Sequence, residues 1–164
     1  MITELRCEGF KGLDGHRFRF RPLTVLTGTN CSGKSSVIQA ILLASMTQRT
    51  QDASIPLNDG PFELRLGTVG DVMSVGGLGR ELCATLRDGK DRGILWAFDA
   101  SDHEARYLNC SKGIPDAAGL GLETGRVGGF TYLSLLRGGQ ADLLPMHSSR
   151  PERMEMGCRG QYVA

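Results

Sequence analysis

Segment 28–36 constrains the fold of this chain more than any other part of it. Its first eight residues, GTNCSGKS, fit the pattern G-x-x-x-x-G-K-[ST] at every required position. Gly28 and Gly33 let the backbone turn tightly and approach an anion without a Cβ clash, so that successive N–H groups form an anion-binding nest. The pattern therefore predicts a phosphate-binding loop between a strand and a helix.

Side chains of this loop type have defined roles. A helix that begins near Lys34 adds the positive end of its dipole, and we predict that the Lys34 ammonium acts in catalysis by stabilising the β- and γ-phosphates. The Ser35 hydroxyl is the predicted Mg²⁺ ligand. The chain has no N-K-x-D guanine-reading motif, which favours ATP, with Mg²⁺, as the cofactor. The predicted nucleotide-binding residues are Gly28, Thr29, Asn30, Cys31, Ser32, Gly33, Lys34, Ser35 and Ser36.

The residues on either side of the loop have the context that the motif requires. Segment 23–26, LTVL, is a short apolar run of the kind that fills a buried sheet, and we expect it to be a buried strand. From Lys34 to about Gln48 the chain has no Gly or Pro and is apolar on nearly every side, which predicts a buried helix. The alternative is an accidental glycine-rich turn before a core helix.

The rest of the chain predicts mainly strands. Strands are expected at 2–7, 16–20, 62–66, 104–108 and 130–136, and a hairpin is expected to join 81–86 to 94–98. We predict an α/β fold with a strand, phosphate loop and helix core at 1–50, and an antiparallel β subdomain with loops, one of them glycine-rich (113–129), at 51–129. A return strand and an irregular tail are expected at 130–164.

Composition narrows the class of protein. The 164 residues suit one domain, and the net charge of +1 gives no overall attraction to nucleic acid. The longest apolar stretch, 37–46, is too short to span a bilayer, and the start has no signal-peptide pattern. The five cysteines form no C-x-x-C pair, which argues against a zinc site or disulfides. We expect a soluble, cytoplasmic protein with reduced thiols and no membrane partner.

Two residues have both a functional and a structural interpretation. Cys31 is either a tolerated small side chain or a thiol made reactive by the helix N-terminus. Asp99 follows the apolar run 94–98, as the magnesium-binding aspartate of an ATPase would, but Ala100 stands where the catalytic glutamate is expected. The same run is also the second arm of the predicted hairpin.

Three segments form a wider pattern: ITELRCEGFKG at 2–12, PLTVLTGTN at 22–30 and SGKSS at 32–36. Together they resemble the opening of the SMC/RecF/OLD-like ATPases, relatives of ABC transporter heads that are often called AAA-family ATPases. A later part, YLSLLR at 132–137 followed by GCRGQYV at 157–163, is similar to one prokaryotic branch of that group. The resemblance implies a P-loop NTPase core like an ABC-ATPase head, and it reaches only the first half of such a head.

This resemblance also implies a function and partners. In complete relatives two heads sandwich ATP, and hydrolysis of the ATP lets the heads separate. Such relatives commonly act in DNA transactions, repair or phage defence. A second head, as a homodimer or a different partner, is therefore expected, and DNA is an implied partner. The signature motif, the Walker B pair and the switch histidine of that group have no counterpart here. We expect a fold that is incomplete at its C-terminus: a fragment, a split subunit or a truncation.

Further candidates lie outside the loop. Arg17, Arg19 and Arg21 form a row that either contacts DNA phosphates or is a solvated strand face. Arg137 either contacts the nucleotide or partner head or is an ordinary surface residue. Gln140 is a candidate magnesium sensor, although the pattern around it differs from that of the family.

The leading hypothesis is an ATPase head that needs a second half or a partner to hydrolyse ATP. The alternatives are a nucleotide-binding module that senses or assembles without turnover, and a nonfunctional fragment. The absence of a Walker B motif from the sequence keeps both alternatives open.

Overall fold

One antiparallel sheet and one long helix make up most of the fold. A computed structural model describes residues 1–50, 53–59, 62, 64–75, 79–90, 92–112, 115, 120, 122 and 130–133. Within these ranges, no helix has both the length and the apolar character needed to cross a bilayer.

Strands outnumber helices along the described chain. The strands are β1 (Ile2–Glu8), β2 (Arg17–Arg19), β3 (Ser54–Pro56), β4 (Asn58–Asp59), β5 (Leu64–Arg65), β6 (Glu81–Asp88), β7 (Gly93–Asp99) and β8 (Tyr107–Cys110). The helices are α1 (Lys34–Thr50), α2 (Val69–Val72) and a short 3-10 helix (Lys11–Leu13). Six strands form one sheet in the order β2-β1-β6-β7-β8-β3, with antiparallel neighbours throughout. Strands β4 and β5 form a separate antiparallel pair.

Alternating side chains give the sheet one apolar face. Strand β6 alternates buried with more accessible residues along its whole length, which is typical of a strand with one face on the core. The register places Leu86 of β6 opposite Leu5 of β1, and Leu82 of β6 opposite Phe98 of β7. Because opposite residues share a face and all four are buried, they form the inner surface of the sheet.

Helix α1 packs against this inner surface. Full burial of one large apolar side chain, such as Leu42 or Met46, contributes about 1.5–3 kcal/mol to stability. The helix is therefore held on the sheet mainly by its apolar residues. A buried polar contact also fixes the position of the helix relative to the sheet. Trp96 of β7 donates from Nε1 to the Thr47 hydroxyl at 2.8 Å, and that hydroxyl donates to the Ala44 carbonyl at 2.8 Å. The buried apolar residues of the helix are Val37, Ala40, Leu42, Leu43, Ala44 and Met46.

The opposite face of the sheet carries ion pairs. Glu4 lies between two arginines, with its carboxylate 2.7 Å from Arg17 Nε and 3.5 Å from Arg87 Nε. Arg6 and Glu8 are 3.0 Å apart and both more than half exposed. An exposed pair of this kind contributes about 0–1 kcal/mol, so folding is driven by the inner face.

Several sequence-based predictions are confirmed. The strands expected at 2–7 and 16–20 correspond to β1 and β2, the hairpin to β6 and β7, and the long helix to α1. The mixed α/β class and the antiparallel sheet are also present. The sheet joins strands from segment 1–50 with strands from segment 51–129, and the division into three parts stays a prediction.

The buried strand predicted at 23–26 is wrong. This segment has no strand pairing, and Leu23 and Val25 are 83% and 71% exposed. The physical reason is the lack of a neighbour: in the sheets formed by the described residues, no strand lies beside this segment. An apolar run shows that burial is favourable, but a strand is buried only where another element covers it.

Two strands that follow helix α1 in the chain differ from their predicted bounds. Of the described residues in the strand expected at 62–66, Leu64–Arg65 form β5, whereas Phe62 and Leu66 are not in a strand. The strand expected at 104–108 lies instead at Tyr107–Cys110, because a turn closed by the Ala105 N–H and the Asp102 carbonyl at 3.3 Å precedes it.

The return strand predicted at 130–136 is not formed where the structure describes it, at 130–133. Phe130 and Tyr132 instead pack their rings edge-on against Phe62, with ring centres 6.0 Å apart in both cases. Residues 134–136, most of the predicted loop 113–129 and the whole of 137–164 lie outside the described residues.

Replacing Thr47 with Val tests the polar contact between helix and sheet. The variant removes the acceptor and leaves the Trp96 N–H buried without a partner, so we expect the free energy of unfolding to fall by about 1–3 kcal/mol. Thr47→Ser keeps the hydroxyl and is the matched control, with an expected loss of less than about 1 kcal/mol. Urea denaturation followed by fluorescence of the single tryptophan measures both. Equal losses for the two variants would contradict the assigned role.

Candidate functional site

The loop at 28–36 curves because three of its residues adopt positive φ angles. The values are +147° at Gly28, +62° at Cys31 and +86° at Gly33. An L side chain in the left-handed region costs roughly 1–2 kcal/mol, so Cys31 stores strain where the two glycines do not. A Cβ at Gly28 would also lie only 2.8 Å from the Ser32 hydroxyl oxygen. The backbone therefore turns back on itself at residue types suited to the turn.

The Lys34 ammonium lies inside this curve. Its Nζ donates to the carbonyl oxygens of Gly28 at 2.9 Å and Thr29 at 2.6 Å, with the Ser32 hydroxyl oxygen at 3.4 Å. The Ser32 N–H also donates to the Thr29 carbonyl at 3.4 Å. A full positive charge is thus held where the backbone of the loop converges, which favours the binding of an anion.

Helix α1 begins where the loop ends and adds further donors. The Val37 N–H donates to the Gly33 carbonyl at 3.1 Å, so the N–H groups of Lys34, Ser35 and Ser36 precede the first bond of the helix and have no partner within it. The first turn contains no acidic residue that would neutralise the positive end of the helix dipole. This arrangement is a favourable site for phosphate.

The 3-10 helix at Lys11–Leu13 supports the loop. Leu13 is buried, and a Cβ added to Gly33 would lie 3.2 Å from Leu13 Cδ2. Lys11 Nζ donates to Gln39 Oε1 of α1 at 2.9 Å, and burial lowers the pKa of Lys11. Sequence reasoning missed this support, since the only local signal is a glycine on either side of Phe10 and Lys11.

The hydroxyls after Lys34 suit a hard cation. Ser35 is exposed and Ser36 half-buried. Magnesium prefers oxygen ligands and is commonly held by one or two protein groups together with substrate phosphates and water. An exposed hydroxyl one residue beyond the ammonium fits that requirement, so the residues present are compatible with Mg²⁺ next to bound phosphates.

Asp99 lies at the exposed end of β7. Its carboxylate accepts the Ser101 N–H at 2.9 Å, and this bond lowers the pKa of Asp99. In the sheet it stands opposite Glu81 on one side and Asn109 on the other. The hairpin interpretation of this segment is confirmed, while a catalytic role for Asp99 stays a prediction.

The predicted arginine row lies at the edge of the sheet. Arg17 and Arg19 are exposed residues of β2, and Arg17 pairs with Glu4 at 2.7 Å. Arg21 follows the strand, and its backbone N–H and carbonyl both bond the Thr24 hydroxyl. A contact of this row with DNA stays a prediction. The two remaining candidates, Arg137 and Gln140, lie outside the described residues.

Replacing Gly33 with Ala tests the loop geometry. A methyl group at φ +86° and 3.2 Å from Leu13 should lower the free energy of unfolding by about 1–3 kcal/mol. Gly12→Ala is the matched control, because a Cβ there meets no atom within 4 Å, and it should change stability by less than about 0.5 kcal/mol. Chemical denaturation measures both. A Gly33→Ala protein as stable as the control would show that this geometry is not required.

A comparison with known families places this geometry in context. Residues 4–99 match AAA_23, an AAA domain. The match covers more than half of the chain and includes the whole loop 28–36 and strands β6 and β7. Neither the curated proteins nor the solved structures give a match. The chain belongs to this family of P-loop AAA domains, and that membership implies ATP binding.

Proposed function

We propose that this chain is the ATP-binding part of an ATPase head of the SMC/RecF/OLD-like group, with a core like that of ABC ATPases. ATP binding and hydrolysis would be coupled to association with a second head. The observation that carries the proposal is the Lys34 ammonium, held inside loop 28–36 at the N-terminus of α1. The match of residues 4–99 to an AAA domain supports ATP as the bound nucleotide.

Binding of ATP would use groups that are already in place. The phosphate oxygens would accept bonds from the N–H groups of 33–36 and from Lys34 Nζ, which would give up part of its bonding to the carbonyls of Gly28 and Thr29. A hydrogen bond to a charged group contributes about 1.5–3 kcal/mol. Part of this energy is spent on breaking the bonds between the ammonium and these two carbonyls, so only the surplus appears as affinity for ATP.

Magnesium would be held by the Ser35 hydroxyl together with phosphate oxygens and water. The ion would neutralise charge on the phosphates. Ser35, which would hold the ion, is exposed in the first turn of α1 and follows Lys34 directly.

Hydrolysis needs a positioned water in addition to the phosphate cradle. The Asp99 carboxylate is engaged by the Ser101 N–H, and Ala100 follows where a glutamate would be needed. We therefore infer that the group activating water comes from outside the described residues, either from another part of the head or from a partner. DNA transactions or phage defence are the processes that the family resemblance suggests.

A second candidate function is nucleotide binding without turnover, in a sensing or assembly module or in a truncated fragment. Ala100, which stands where the catalytic glutamate would be needed, favours it. Phosphate release, measured for the chain alone and mixed with candidate partners, separates the two functions. Turnover restored by a partner supports the ATPase head, whereas ATP binding with no turnover in any mixture supports the module.

Replacing Lys34 with Ala tests ATP binding. Loss of the ammonium should weaken ATP affinity by at least about 100-fold, equivalent to about 2.7 kcal/mol. Lys90→Ala is the matched control, because Lys90 is an exposed lysine in the turn between β6 and β7, and its affinity should equal that of the wild type. Isothermal titration calorimetry measures binding, and circular dichroism checks that both variants are folded. Unchanged affinity in folded Lys34→Ala would refute the proposal.

Replacing Ser35 with Ala tests the metal site separately. We expect ATP affinity in EDTA to change by less than about 2-fold, while the gain in affinity on adding Mg²⁺ falls by about 10-fold. The titration in EDTA is the internal control, since it reports the phosphate cradle without the ion. An undiminished Mg²⁺ effect would show that Ser35 is not the ligand.

A further inference from the structure

We draw no further inference here: the strongest candidate, the open cleft between the end of β1 and the start of β6 that Glu8, Asp14 and Glu81 line, is a cluster of acidic side chains at which nothing in the described part of the chain shows what ligand or partner would bind.

Discussion

The curvature of the backbone between Gly28 and Gly33 is the constraint on which the candidate site depends. Positive φ angles at Gly28, Cys31 and Gly33 bend the chain so that two carbonyl groups reach the Lys34 ammonium. The same bend lets α1 begin at Lys34 with its first N–H groups unpaired. Charge, donors and helix dipole therefore act at one place because the backbone turns there.

The rest of the described fold keeps that bend in position. Leu13 contacts the loop at Gly33, and the Lys11 ammonium bonds Gln39 on the helix. Farther along α1, the Thr47 hydroxyl bonds Trp96 of the sheet. The helix is thus anchored near both of its ends, and the loop is placed by tertiary packing as well as by its own glycines.

The sequence predicted the elements whose signals are local. Periodicity identified the β6–β7 hairpin and helix α1, and the G-x-x-x-x-G-K-[ST] spacing identified the loop. It failed at 23–26, since an apolar run does not show whether a second strand lies beside it. The support from Leu13 was also missed, because it arises from a tertiary contact across twenty residues and not from any motif.

The central claim is that backbone amides at the start of α1 bind a triphosphate, and amide NMR shifts on titration with ATP and Mg²⁺ test it most directly. The claim predicts saturable shifts concentrated at residues 28–36, largest at the amides of Gly33, Lys34 and Ser35, and reproduced in part by inorganic pyrophosphate. Saturable shifts elsewhere in the sheet, with the amides of 33–36 unchanged, would contradict it.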